Sequence, residues 1–129
     1  MKTINSEIAV IDFNDSDAIL QEKLFEDSEI SLDKMKEHFC TVSRLTNNEK
    51  HVALIDASDL VYIDQPAIKY MAESFEASGR IAIAFYSNNL ANRLALLCMK
   101  LIYKPAVPFE FFTNKAHAME WLQSKNTIN

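Results

Sequence analysis

Asp56, Asp59 and Asp64 come closest, by type and spacing, to residues that could do chemistry. They bunch at the carboxyl end of the apolar run Val52–Ile55, and ligands usually bind at that end of a strand in open α/β sheets. Three carboxylates there could hold a divalent cation. The competing reading is that Asp64 caps a helix while Asp56 and Asp59 turn the chain. His38, His51 and His117 fall in three separate segments with no partner at metal or triad spacing, so each is read as structural or as surface. Cys40 and Cys98 lack CxxC or Cys/His ligand spacing, which argues for reduced thiols rather than a disulfide or zinc site. The chain has no nucleophile elbow, no Walker glycines and no GxGxxG, and its one glycine, Gly79, cannot build a phosphate loop. The expectation is therefore no catalytic residue, no cofactor and no dedicated metal site.

The stretch Leu90 to Lys104 is unusual for a different reason. Read as a helix at about 100° per residue, it places Arg93, Lys100 and Lys104 within an arc of about 40°, with Asn92 apart from them. Leu90, Leu94, Leu97, Cys98 and Leu101 fill the arc expected to face the core. Leu96, Met99 and Tyr103 then form a third, apolar arc that a one-sided surface helix does not need to bury. Three readings follow. The third arc is a partner or self-association surface flanked by basic residues, or it lines a groove for a small lipid-like ligand whose anionic end meets Arg93 or Lys100, or it is simply core. The candidate binding residues are accordingly Asp64, Arg93, Leu96, Met99, Lys100, Tyr103 and Lys104.

These residues need elements to hold them. Ile4 to Phe13 reads as a strand, closed by the turn-prone Asn14-Asp15-Ser16-Asp17. Ala18, Leu20 and Leu24 share one parity, completing a hairpin. Ser31 can cap a helix in which Leu32, Met35, Phe39, Val42 and Leu45 recur at three- and four-residue steps, ending near Thr46-Asn47-Asn48. From there short apolar strands alternate with helices, the pattern of crossover units on a largely parallel sheet. Val52–Ile55 is a strand. Asp64 opens a helix with Pro66 in its first turn and Gly79 at its end, and Ile81–Phe85 is the next strand. Asn88 or Asn89 caps the long helix, Pro105 and Pro108 break it, Phe109–Phe112 is the last strand, and Thr113 or Asn114 caps a final helix. The order is ββαβαβαβα, an α/β fold in residues 1–125 with a mixed, mostly parallel sheet flanked by helices, and residues 126–129 are expected to fray.

Bulk composition agrees with that reading. A chain of 129 residues, 49% hydrophobic and 24% charged, fits one globular domain that buries roughly 65 to 70% of its unfolded surface. The net charge of −5 argues against a general nucleic-acid binder, because such affinity rests on Lys and Arg neutralising phosphates. With no 18-residue apolar run and no secretory h-region, a soluble cytoplasmic protein is expected.

The order of elements, with Ala53-Leu54-Ile55-Asp56 followed by Leu60-Val61-Tyr62-Ile63-Asp64, resembles the STAS domain, the fold of bacterial anti-sigma-factor antagonists. Pro108-Phe109-Glu110-Phe111-Phe112-Thr113-Asn114 and then Ala118-Met119-Glu120-Trp121-Leu122 resemble the ending of a small bacterial STAS/SEC14-like branch. The resemblance implies a non-enzymatic regulatory or protein-interaction module, with a carrier or sensor of an apolar or anionic ligand as the alternative. It also implies a phosphoacceptor Ser or Thr just after the helix-opening Asp. Gln65, Pro66 and Ala67 hold those places and carry no hydroxyl, so the phosphoswitch is not expected here. Ser58, nearby in the connection, is read as a turn residue.

Overall fold

The computed structural model describes residues 2–127. Three N-terminal strands, β1 (Lys2–Asn5), β2 (Ala9–Asn14) and β3 (Ile19–Leu24), form an antiparallel meander. The single strand expected over Ile4 to Phe13 is two strands, because Ser6 turns the chain. Its N–H donates to Ala9 O at 2.9 Å, and its Oγ accepts from the amides of Ile8 and Ala9 at 3.2 and 3.1 Å. Asn14 closes the next turn as expected, its Oδ1 accepting from the Ser16 amide at 3.1 Å.

β4 (Ser28–Ile30) leads into α1 (Leu32–Thr46), whose N-cap Ser31 accepts from the Lys34 amide and whose end is a left-handed Asn47. β5 (His51–Asp56) and β6 (Leu60–Ile63) precede α2 (Gln65–Ser74). The order ββαβαβαβα leaves residues 60–63 without a strand of their own. They instead pair in parallel with β4 as a separate two-stranded sheet, a unit too short for its burial pattern to announce it. Asp64 is the N-cap residue of α2, but its side chain makes no cap hydrogen bond. β7 (Arg80–Tyr86), α3 (Leu90–Tyr103), β8 (Phe109–Phe112) and α4 (Lys115–Lys125) complete the chain. Asn89 caps α3 and Asn114 caps α4. Gly79, at φ 93°, makes the turn into β7, where a Cβ would sit 2.5 Å from Glu49 O. Asn126, in the stretch expected to fray, donates from its side-chain amide to Asp17 O at 3.0 Å, while residues 128–129 lie outside the described residues.

The main sheet has the order β1-β2-β3-β5-β7-β8, parallel from β3 to β8. Alternation along its central strands feeds two cores. Ala53, Ile55, Ile83 and Phe85 face α1, α2 and α3, through Met35, Phe39, Met71, Leu96 and Met99. Val52, Leu54, Ala82 and Ala84 face α4 alone, through Ala118 and Leu122. Both parities of β5 and β7 are apolar because both faces are covered.

Candidate functional site

α3 packs with the opposite face to the one its leucines suggest. Leu96 and Met99 are 3% and 1% exposed, and Tyr103 is half-buried against the same core. Leu90, Leu94, Leu97 and Leu101 are 60%, 52%, 40% and 65% exposed, Ile102 is exposed, and Cys98 is an exposed free thiol. The arc expected to face the core is therefore the outer surface, and of the three readings of the third arc the structure has it as core. The cause lies in two polar residues. Asn92 is buried and donates from Nδ2 to Ala57 O at 2.9 Å, which pins the start of the helix against the β5–β6 connection. Lys100 donates to Glu110 Oε1 on β8 at 2.5 Å and lies 5.6 Å from the centre of the Phe109 ring, which holds the basic flank along the sheet edge. A helix apolar nearly all round has no patterned core face, so these anchors decide its rotation.

The result is an exposed apolar strip about 60° wide, Leu90-Leu94-Leu97-Leu101, bordered on one side by Arg93 and Lys100, with Lys104 at the left-handed C-cap just beyond the helix. A groove of about 450 Å³ opens beside the C-terminal end of that border, lined by Lys100, Lys104, Pro105, Trp121 and Lys125.

Beneath α1 the structure assembles a polar cluster that sequence spacing did not suggest. Glu22 of β3, His38 of α1 and Arg80 of β7 are 4%, 2% and 2% exposed. Glu22 accepts from His38 Nε2 at 2.8 Å through Oε1 and pairs with Arg80 Nη2 through Oε2. His38 Nδ1 lies 2.7 Å from Ser6 Oγ. Arg80 also lies 5.1 Å from the centre of the Phe39 ring. The one available signal was Glu22 sharing a parity with Leu20 and Leu24, an acid on the buried side of its strand.

Ser6, His38 and Glu22 thus have the connectivity of a hydrolase triad, contrary to the expectation that His38 has no such partner. Their surroundings differ from those of a nucleophile. Ser6 is 7% exposed and already accepts two backbone amides, and Glu22 is shared with an arginine. Beside the cluster lies a cavity of about 30 Å³, lined by Glu22, His38 and Arg80 and by apolar residues including Met35, Met71 and Leu96. That is room for about two water molecules. Arg80 Nε is buried without a hydrogen-bond partner among the described residues.

The carboxylates at the end of β5 do not converge. Asp56 accepts from the Ser58 amide at 3.0 Å in a turn, Asp59 is exposed, and Asp64 stands at the start of α2. Among the described residues no group of three or more His, Cys, Asp or Glu is placed to hold a metal ion. Tyr86 sits beside Asp56, and burial together with that carboxylate pushes its phenol up to about 12. Gln65 and Pro66 are exposed at the start of α2, Ala67 is buried, and His117 is exposed on α4. No described helix is long and apolar enough to cross a membrane.

Burial raises the pKa of Glu22, but Arg80 and then His38 outweigh it and bring the carboxyl down to about 2. His51 is fully buried with Nδ1–H donating to Glu49 O at 2.8 Å, and burial, helped by Arg80, lowers it to about 4. Both groups bind protons more readily in the unfolded chain. The stability they contribute is complete above about pH 6.5, declines first as His51 is titrated between 6.5 and about 4, and declines again as Glu22 is titrated between 4.5 and about 2. Urea midpoints measured from neutral pH downward should fall through both windows, and His51→Gln should flatten the upper one. A midpoint constant from neutrality to about pH 4 would contradict this assignment.

The sequence profile of a domain of unknown function, DUF7793, matches residues 13–126. No curated protein matches the sequence. The structure is similar to the crystal structure of an uncharacterized protein from the DUF3478 family with a SpoIIAA-like fold, from Shewanella loihica PV-4. Identity is 17%, the TM-score is 0.65, and the match covers 95% of this chain and 98% of that one. At that identity the likeness establishes the fold, and it is the STAS-type fold that the sequence resembles.

Proposed function

The chain belongs to the DUF7793 family and has a SpoIIAA-like fold, and on that basis we propose that it is a non-enzymatic regulatory or interaction module of the cytoplasm. Its contact surface is the outer face of α3. One observation carries this reading: four leucines at three- and four-residue steps on one helix are each at least 40% exposed, and a strip of that kind marks a contact surface. Arg93, Lys100 and Lys104 border the strip as the candidate polar rim. Leu96, Met99 and Tyr103 hold the helix to the core from beneath. Asp64, whose side chain is not used in capping, is a second and separate contact at the start of α2. Gln65, Pro66 and Ala67 leave no hydroxyl for a phosphoswitch at the start of α2.

The test compares wild-type protein with Leu94→Glu/Leu101→Glu in pull-downs from native lysate and in sedimentation. A stoichiometric partner or a dimer that the double variant loses, at unchanged melting temperature, supports the reading. Retention of that partner or dimer by the double variant would refute it.

The cavity beside Arg80 favours a second reading, a carrier or sensor of a small apolar or anionic ligand. Its volume of about 30 Å³ is far below the ~300 Å³ or more of ordinary ligand sites, so this reading requires α1, α2 or α3 to move. If exhaustive delipidation changes neither the native mass nor the melting temperature, it should be abandoned.

A further inference from the structure

We infer that the occupant of the α3 strip is an amphipathic helix of another protein, one that carries large apolar residues at three- and four-residue steps and Asp or Glu along one flank. The inference rests on the docking reading above and adds the partner's chemistry. Leu90, Leu94, Leu97 and Leu101 follow the alternating four-three-four spacing of a helix seam, which a second helix can meet by knobs-into-holes packing.

Charge selects among the possible helices. α3 contains no acidic residue, Arg93 and Lys100 fall on the same flank of the seam, and Lys104 follows as the left-handed C-cap of the helix. Lys125 continues the positive charge across the groove beside Lys104. Of these four cations only Lys100 has a carboxylate partner among the described residues. The flank is thus locally cationic in a chain of net charge −5, and an acidic flank on the incoming helix would complete it.

The same pattern disfavours other occupants. A second α3 laid antiparallel would set one row of cations against the other, and laid parallel it would offer them Ala91 and Cys98. An anionic bilayer would meet cations on one border of the strip only, on a protein whose net charge repels it.

The experiment uses the full chain and two synthetic helical peptides of about three heptads. Both have the same leucine seam, and one carries Glu and the other Lys along the flank. Binding is read by fluorescence anisotropy at two salt concentrations, alongside sedimentation of the protein alone and flotation with phosphatidylserine/phosphatidylcholine vesicles. The Glu peptide should bind about tenfold or more tighter than the Lys peptide. Its affinity should fall with salt, disappear in Leu94→Glu, and lose its preference in Arg93→Glu/Lys104→Glu at unchanged melting temperature. Equal binding of both peptides, each lost in Leu94→Glu, would overturn the acidic-flank inference while leaving the docking face intact. A dimer or vesicle binding lost in Leu94→Glu, with neither peptide bound, would replace the helix by a second copy or a membrane. Peptide binding indifferent to Leu94→Glu would overturn both the inference and the reading beneath it.

Discussion

Arg80→Ala should destabilise the protein by about 3–5 kcal/mol, the usual loss when one partner of a buried ion pair is removed. Domains of this size are stable by only about 5–15 kcal/mol, so the variant should be near the limit of folding. The cause is specific. Glu22 is 4% exposed and has two partners, Arg80 and His38. Without the guanidinium its carboxylate keeps the desolvation penalty and loses the stronger of the two charges facing it. The comparison that isolates the cause is Glu22→Leu/Arg80→Met, which removes both charges and keeps much of the volume. It should recover part of the loss, because a well-packed apolar replacement of a buried pair is often neutral or better, while the buried His38 Nε2 is left without its acceptor. Urea denaturation of the two variants checks this. An Arg80→Ala loss below about 1 kcal/mol would show that the pair is not buried as described.

The second large effect lies within one helix. Leu96→Ala and Met99→Ala should each cost about 2–5 kcal/mol, as large-to-small changes in a packed core do. Leu94→Ala and Leu101→Ala should stay within about 0.5 kcal/mol, as exposed positions do. Leucine count predicts the reverse order, since the richer arc holds Leu90, Leu94, Leu97 and Leu101. Thermal or urea melts of the four variants therefore separate the two rotations of α3. Equal losses at all four positions would mean that the outer strip is packed as well.

The elements that can be read from the sequence are those whose neighbours leave a local trace. β5 and β7 show in Val52–Ile55 and Ile81–Phe85 because strands covered on both faces are apolar at both parities. Ser31, Asn89 and Asn114 reveal helix starts because a cap needs a short polar side chain at a fixed place. Where the deciding contact is distant, the trace vanishes. Glu22 and Arg80 are 58 positions apart, and only the parity of Glu22 hints at burial. Asn92 looks like a solvent marker until Ala57 O is placed beside it. β4 and β6 pair over three or four residues each, too few for alternation to register. For the candidate site, helical spacing alone puts Arg93 and Lys100 on one flank, whereas Lys104 stands beyond the helix at its left-handed C-cap. Which apolar arc stands beside them in solvent was not legible, because that depends on tertiary anchors rather than on period.

Native-state thiol labelling tests most directly whether α3 turns its leucines outward. In a Cys40→Ser/Cys98→Ser background, Leu97→Cys should react with a maleimide probe nearly as fast as a free thiol. Met99→Cys should react only as fast as the protein opens. Fast labelling at position 99 with protection at position 97 would contradict the orientation of α3, and with it the contact surface proposed for this protein.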